Sequence, residues 1–107
     1  MEKMGVEDFK RLDLRVGEII DVEEIEGSDN LFRITVDIGE ERQLVVGIKP
    51  WYFPEDLKSK KVIVMANLQP VEVFGVESQG VLLTAEDGRT ISLLTIDKDV
   101  EKGTKIR

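Results

Sequence analysis

The 107-residue chain contains no cysteine and no histidine. A disulfide is therefore impossible, and metal sites built on thiolate or imidazole are excluded. Ser-His-Asp and Cys-His nucleophilic arrangements fall for the same reason. Only carboxylates, hydroxyls, Lys, Arg and Tyr52 remain as reactive groups, and their spacing builds no catalytic constellation. Long apolar runs are also missing. The longest, Val62–Ala66, has five residues, far short of the about 20 that a membrane helix needs. The opening residues, Met1-Glu2-Lys3-Met4, lack the apolar stretch of a signal peptide. These absences predict a cytoplasmic chain with no catalysis, cofactor or metal. Asn and Gln are scarce while Glu and Lys are abundant, a usage found in thermophilic proteins.

Positive charge is in deficit too. Acidic residues number 22 and basic residues 15, for a formal net charge of −7. Such a chain repels a polyanion at long range. Nucleic-acid binding would then depend on a local basic face or on base stacking.

What is present is short-period alternation. Val6 to Leu12 predicts one helical turn with Phe9 and Leu12 on one face. Leu14, Val16, Ile20 and Val22 mark a long first strand, with Gly17 as the expected bulge. After the Gly27-Ser28-Asp29-Asn30 turn, Phe32, Ile34, Val36 and Ile38 share one face, with Arg33, Thr35 and Asp37 on the other. Gly39-Glu40-Glu41 leads into a third strand carrying Leu44, Val46 and Ile48, which forms a hairpin with the second. Pro50 and Pro54 bracket Trp51-Tyr52-Phe53, and Pro54 to Leu57 can start a short helix. The aromatic trio is expected to plug the barrel end. Alternation resumes at Val62, Val64 and Ala66, and Val71 and Val73 form a brief strand ending at Gly75. Asp87-Gly88 signals a hairpin between Val81–Ala85 and Ile91–Ile96, and Val100 and Ile106 anchor a charged tail. The order reads as one all-β domain over residues 1–107. It is an OB barrel of five strands with a short helix between the third and fourth, plus further strands towards the C-terminus. A β-sandwich satisfies the same periodicity.

Several segments together resemble the tRNA-binding domain family. Asp13-Leu14-Arg15-Val16-Gly17-Glu18-Ile19 is similar to its opening signature, and Arg42-Gln43-Leu44-Val45-Val46-Gly47-Ile48 to its third strand. Tyr52 to Leu57 resembles its short helix, and Lys61 to Leu68 its Lys-x-Val-x-Val-x-Ala-Asn-Leu strand. Gly75-Val76-Glu77-Ser78-Gln79-Gly80 is similar to its Gly-x-x-Ser-x-Gly turn, and Leu94 to Ile106 follows its close. Within the family the fit is best to the C-terminal domain or β-subunit of archaeal methionyl-tRNA synthetases. The resemblance implies an OB fold, a homodimer, and noncatalytic recognition of tRNA by shape and backbone. It also implies the methionyl-tRNA synthetase catalytic chain as a candidate partner, with neither DNA nor membrane expected as one. Family members often carry cations near positions 30, 69, 72 and 74, where Asn30, Gln69, Glu72 and Phe74 stand here.

The residues expected to meet tRNA are Arg15, Asn30, Arg33, Arg42, Lys49, Asn67, Phe74, Ser78 and Gln79. The arginines and Lys49 would contact phosphates, although an ordinary solvated face explains them equally well. Asn67 either recognises nucleotide or satisfies a turn backbone. Ser78 and Gln79 precede a glycine, which normally marks only a turn. Phe74 would stack on a base or cover a protein interface. The competing function is a protein-interaction or dimerisation module on the same fold. Ile91, Leu93, Leu94 and Ile96 supply the apolar surplus expected of a dimer interface.

Overall fold

The computed structural model describes residues 1–107. Three strands form an antiparallel meander: β1 (Leu14–Glu24), β2 (Phe32–Asp37) and β3 (Glu41–Val46). On its other edge β1 pairs with β4 (Lys61–Met65). Later in the chain come β5 (Val71–Val73), β6 (Val76–Ser78), β7 (Val81–Leu82), β8 (Thr84–Glu86) and β9 (Ile91–Leu93). β7 adds to β4, so the main sheet runs β3-β2-β1-β4-β7, and its two outer strands curl towards each other. β5–β6 and β8–β9 are separate hairpins. Helix α1 (Val6–Lys10) precedes β1, and α2 (Pro54–Leu57) lies between β3 and β4. This is the expected OB barrel.

Alternation places the core. Phe32, Ile34 and Val36 of β2 are buried while Arg33, Thr35 and Asp37 stay half-exposed. Ile19, Leu44, Ile48, Val62, Val64 and Leu82 complete the barrel interior, and Leu57 of α2 is fully buried with them. Removing each such side chain from water contributes about 1.5–3 kcal/mol. Pro at the first turn of α2 sacrifices no helical N–H bond, and Glu55 and Asp56 favour the helix start by their charge.

Several expectations are corrected. Gly17 pairs in regular register with Val62, and the irregularity lies between Ile19 and Asp21 instead. What Gly17 supplies is space, because a methyl group there would meet Val36 Cγ2 at 2.6 Å and Ile38 Cγ2 at 3.1 Å. Residues 76–78 form a strand rather than a turn, and the two-residue turn is Phe74-Gly75, both with positive φ. Mirror-image turns of this kind match the twist of a hairpin. Of the aromatic trio only Tyr52 packs on the core, with Trp51 and Phe53 exposed. Val100 is exposed, so main-chain bonds anchor the tail: Val16 N donates to Thr104 O, Gly103 N to Val16 O, and Ile106 N to Leu14 O. Ile91 and Leu93 pack against the core, which consumes half of the apolar surplus assigned to an interface.

Gly17→Ala is expected to destabilise the fold by about 1–3 kcal/mol, the usual range for an overpacked core. A urea titration should show a lower midpoint at an unchanged slope. An unchanged midpoint would mean that Val36 and Ile38 move aside freely.

Candidate nucleic-acid interface

β3 would be a bare edge if the barrel stopped at its named strands. Instead, the side chains of Ser78, the last residue of β6, and of Gln79 just after it bond to β3. Ser78 Oγ accepts from Val45 N at 3.0 Å and donates to Gly80 O at 3.1 Å. Gln79 Oε1 accepts from Gln43 N at 2.9 Å, while Gln79 N donates to Gln43 O at 2.8 Å. Gln43 Nε2 returns a bond to Glu77 O at 2.8 Å. Ser78, read from sequence as a turn residue, is the one buried polar side chain. Gly80 must be a glycine here, since its φ is +146° and a Cβ would lie 2.8 Å from Met65 O.

Arg42 belongs to the same seam. It shares the strand face of Leu44 and Val46, and its guanidinium donates to Ala66 O at 3.0 Å and to Gln79 O at 3.1 Å. It therefore lies across the barrel mouth and not on the open surface. Asn67 ties the entry segment down: its Oδ1 accepts from Asp13 N at 2.9 Å and its Nδ2 donates to Arg11 O at 2.7 Å.

The expected contact residues divide into two groups. Arg42 is paired with Val36 and Arg33 with Val45, three residues apart along β3, or about 10 Å. Near Arg42 lie Arg15, Asp13 and Glu40. At the other end, Lys49 N donates to Asn30 O and Lys49 Nζ donates to Ser28 O, which joins Asn30 and Lys49. Phe74, at the tip of the β5–β6 hairpin, places its ring over Gly27 in the same turn region. Phe74 is 58% exposed at φ 54°. That conformation is unfavourable for an aromatic residue, and the seam at Gln43 and Val45 holds the hairpin that imposes it.

Each of the four candidate cations has a carboxylate partner: Arg15–Asp13 at 2.8 Å, Arg42–Glu40 and Lys49–Glu24 at 2.9 Å, and Arg33–Glu23 across the β1–β2 ladder. The Arg15 guanidinium, by hydrogen bond and then by charge, holds the Asp13 carboxyl below the usual carboxylate range, and Arg15 is raised in return. Asp37 is lowered by the Gly39 N–H and then by Lys102, which it raises. The N–H groups of Arg89 and Thr90 lower Asp87.

A small barrel with a turn and an inserted hairpin converging beside its β2–β3 face defines an oligonucleotide-binding module of the OB class. The chain belongs to the tRNA-binding domain family. Residues 14–105 match the family model described as "Putative tRNA binding domain". A methionine–tRNA ligase of Pyrococcus horikoshii is 51% identical over 108 residues, covering 100% of this chain. The chain spans only 15% of that ligase's length. Among solved structures, a MetRS-related protein from Pyrococcus horikoshii has a TM-score of 0.93 at 36% identity, covering 100% of both chains. The chaperone CsaA from Bacillus anthracis has a TM-score of 0.91 at 29% identity, covering 99% of this chain and 100% of its own.

The lowered carboxyls give a pH expectation. Asp13, Asp37 and Asp87 are lowered in the fold. Their contribution is complete above the ordinary carboxylate pKa of about 4 and is lost as pH falls through the folded values. Asp37→Asn keeps an acceptor for Gly39 N but loses the charge facing Lys102. Melting curves between pH 7 and 2 should show a lower Tm at neutral pH and a shallower fall on acidification. A fall as steep as that of the parent chain would remove Asp37 from the acid response.

Proposed function

We propose that this chain is a noncatalytic tRNA-binding module that serves methionyl-tRNA synthetase, within the same polypeptide or as a separate subunit in the cytoplasm. The observation that carries the reading is the family match across residues 14–105, combined with an exposed aromatic beside paired cations on the β2–β3 side. Phosphates would replace Glu23 on Arg33 and Glu24 on Lys49, and a base would stack on Phe74. Exposed ion pairs contribute about 0–1 kcal/mol, so this exchange of anions is cheap. Asn30 would fix the ligand beside Lys49. Ser78, Gln79, Asn67 and Arg42 would act chiefly by holding the hairpin, the entry segment and the barrel mouth in place, with Arg15 at that end.

A second reading has its own support. The net charge of −7 and the pairing of every candidate cation suit a protein-interaction module, as does the likeness to CsaA. Either reading is compatible with a homodimer. Support for a dimer comes from α1, which buries none of its residues and leaves Val6 and Phe9 exposed beside the equally exposed Met4 that precedes it.

With Arg33 and Lys49 as phosphate contacts and at most Arg15 and Arg42 beside them, the log–log salt slope of tRNA binding should be about −3 or shallower per subunit. Glu23→Gln combined with Glu24→Gln should tighten filter-measured tRNA binding and steepen the slope, because Arg33 and Lys49 lose their competitors. If affinity and slope both stay put, RNA does not use this face and the interaction-module reading prevails. Light scattering at high protein concentration should report about twice 12.1 kDa; a particle of the single-chain mass would refute the dimer.

A further inference from the structure

Ten of the fifteen cations have carboxylate partners within 4.0 Å. The five without one are Lys3, Lys60, Arg89, Lys98 and Arg107. Two of these flank the connector between β3 and β4. Lys60 closes α2, its N donating to Leu57 O, and Arg89 sits in the β8–β9 turn with its carbonyl accepting from Trp51 Nε1 at 3.1 Å. The same connector carries the two exposed aromatics left outside the core, Trp51 at 40% and Phe53 at 69%.

The geometry around Trp51 is that of a fixed ring with part of its surface in water. Tyr52 anchors the connector, its ring on the core and its hydroxyl accepting from Leu93 N at 3.1 Å. Trp51 N donates to Ile48 O at 2.9 Å, and the indole N–H is satisfied by Arg89. The indole therefore needs no further polar partner, and a planar apolar ligand can cover it without burying an unpaired donor. Two residues upstream, Lys49 reaches Asn30 and Ser28, which ties the start of the connector to the proposed tRNA-binding face.

We propose that Trp51, with Arg89 beside it, is a stacking platform for an unpaired nucleotide of the bound RNA. The RNA would pass from Phe74 and Lys49 around the connector to Trp51. Stacking needs little charge, which suits an acidic chain, and the charge it does use is available because Arg89 has no carboxylate to release. Asp87, the nearest acid in the turn, is already committed to the Arg89 and Thr90 N–H groups at 2.9 Å. This inference rests on the RNA-binding reading and extends it to a site outside the β2–β3 face.

Trp51 is the only tryptophan, so the intact chain reports on itself. Unfractionated tRNA and a twelve-nucleotide oligouridylate would be titrated in low salt, following tryptophan fluorescence and, in parallel, retention on filters. Saturable quenching with the same midpoint as filter retention is expected. Trp51→Ala should weaken binding about 5- to 100-fold, Trp51→Phe should restore most of it, and Arg89→Glu should make the salt slope shallower by about one. Filter binding with unchanged fluorescence, and with Trp51→Ala binding like the parent, would overturn the platform while leaving the tRNA-binding reading intact. Failure of any RNA to be retained would overturn that reading and the platform together. A blue shift that grows with protein concentration in the absence of RNA would assign the ring to contact between copies and overturn the proposal.

Discussion

The bonds that Ser78 and Gln79 make to β3 close the barrel, and much of the surface geometry depends on them. β7 has only two residues and pairs with β4, so main-chain bonding to the free edge of β3 is reduced to the one bond from Gln79 N to Gln43 O. Side-chain oxygens accept from Gln43 N and Val45 N in place of strand carbonyls. An unpaired N–H at a half-buried edge costs more than a typical hydrogen bond contributes, and an open edge invites pairing with another chain. Closing it with side chains has a further effect. The β5–β6 hairpin becomes fixed over the first turn, and Phe74 is held in water in a conformation it would not otherwise adopt.

Electrostatics constrains the surface in a complementary way. An excess of acids does not make every region repulsive, but here it supplies each cation of the proposed contact face with a local carboxylate. Affinity on such a surface comes from exchanging one anion for another, with small gains per contact, and from contacts that involve no charge. Exposed rings such as Phe74 and Trp51 provide the second kind. The same pairing would make binding tolerant of salt compared with that of a basic domain.

The barrel was legible in the sequence because its signals are local. Phe32, Ile34 and Val36 announce β2 by alternation, Asp87-Gly88 announces its hairpin, and Pro54 starts α2 where its missing N–H does no harm. The misreadings involve partners distant along the chain. Ser78 and Gln79 resemble turn residues until Val45 and Gln43 are placed beside them, more than thirty positions away. Gly17 reads as a bulge because its real constraint, the methyl groups of Val36 and Ile38, comes from a neighbouring strand. Asn67 takes the backbone-satisfying role weighed for it, although nothing local shows that its amide joins Arg11 to Asp13. The Trp51–Arg89 contact spans 38 positions and has no periodic signature at all.

The tail's bonds to β1 determine how the module would carry mechanical load. Ile106 N meets Leu14 O, while Gly103 and Thr104 meet Val16, so the first strand and the tail run antiparallel side by side. Tension applied through the two chain ends would act on these bonds one after another, from Leu14–Ile106 inward, and would peel the tail like a zipper. β1 would keep its ladder with β4 during that first step, because residues 14–18 are paired on the opposite edge. The fold can thus yield at its rim under load while the strands that carry Arg33, the seam and the hairpin stay assembled.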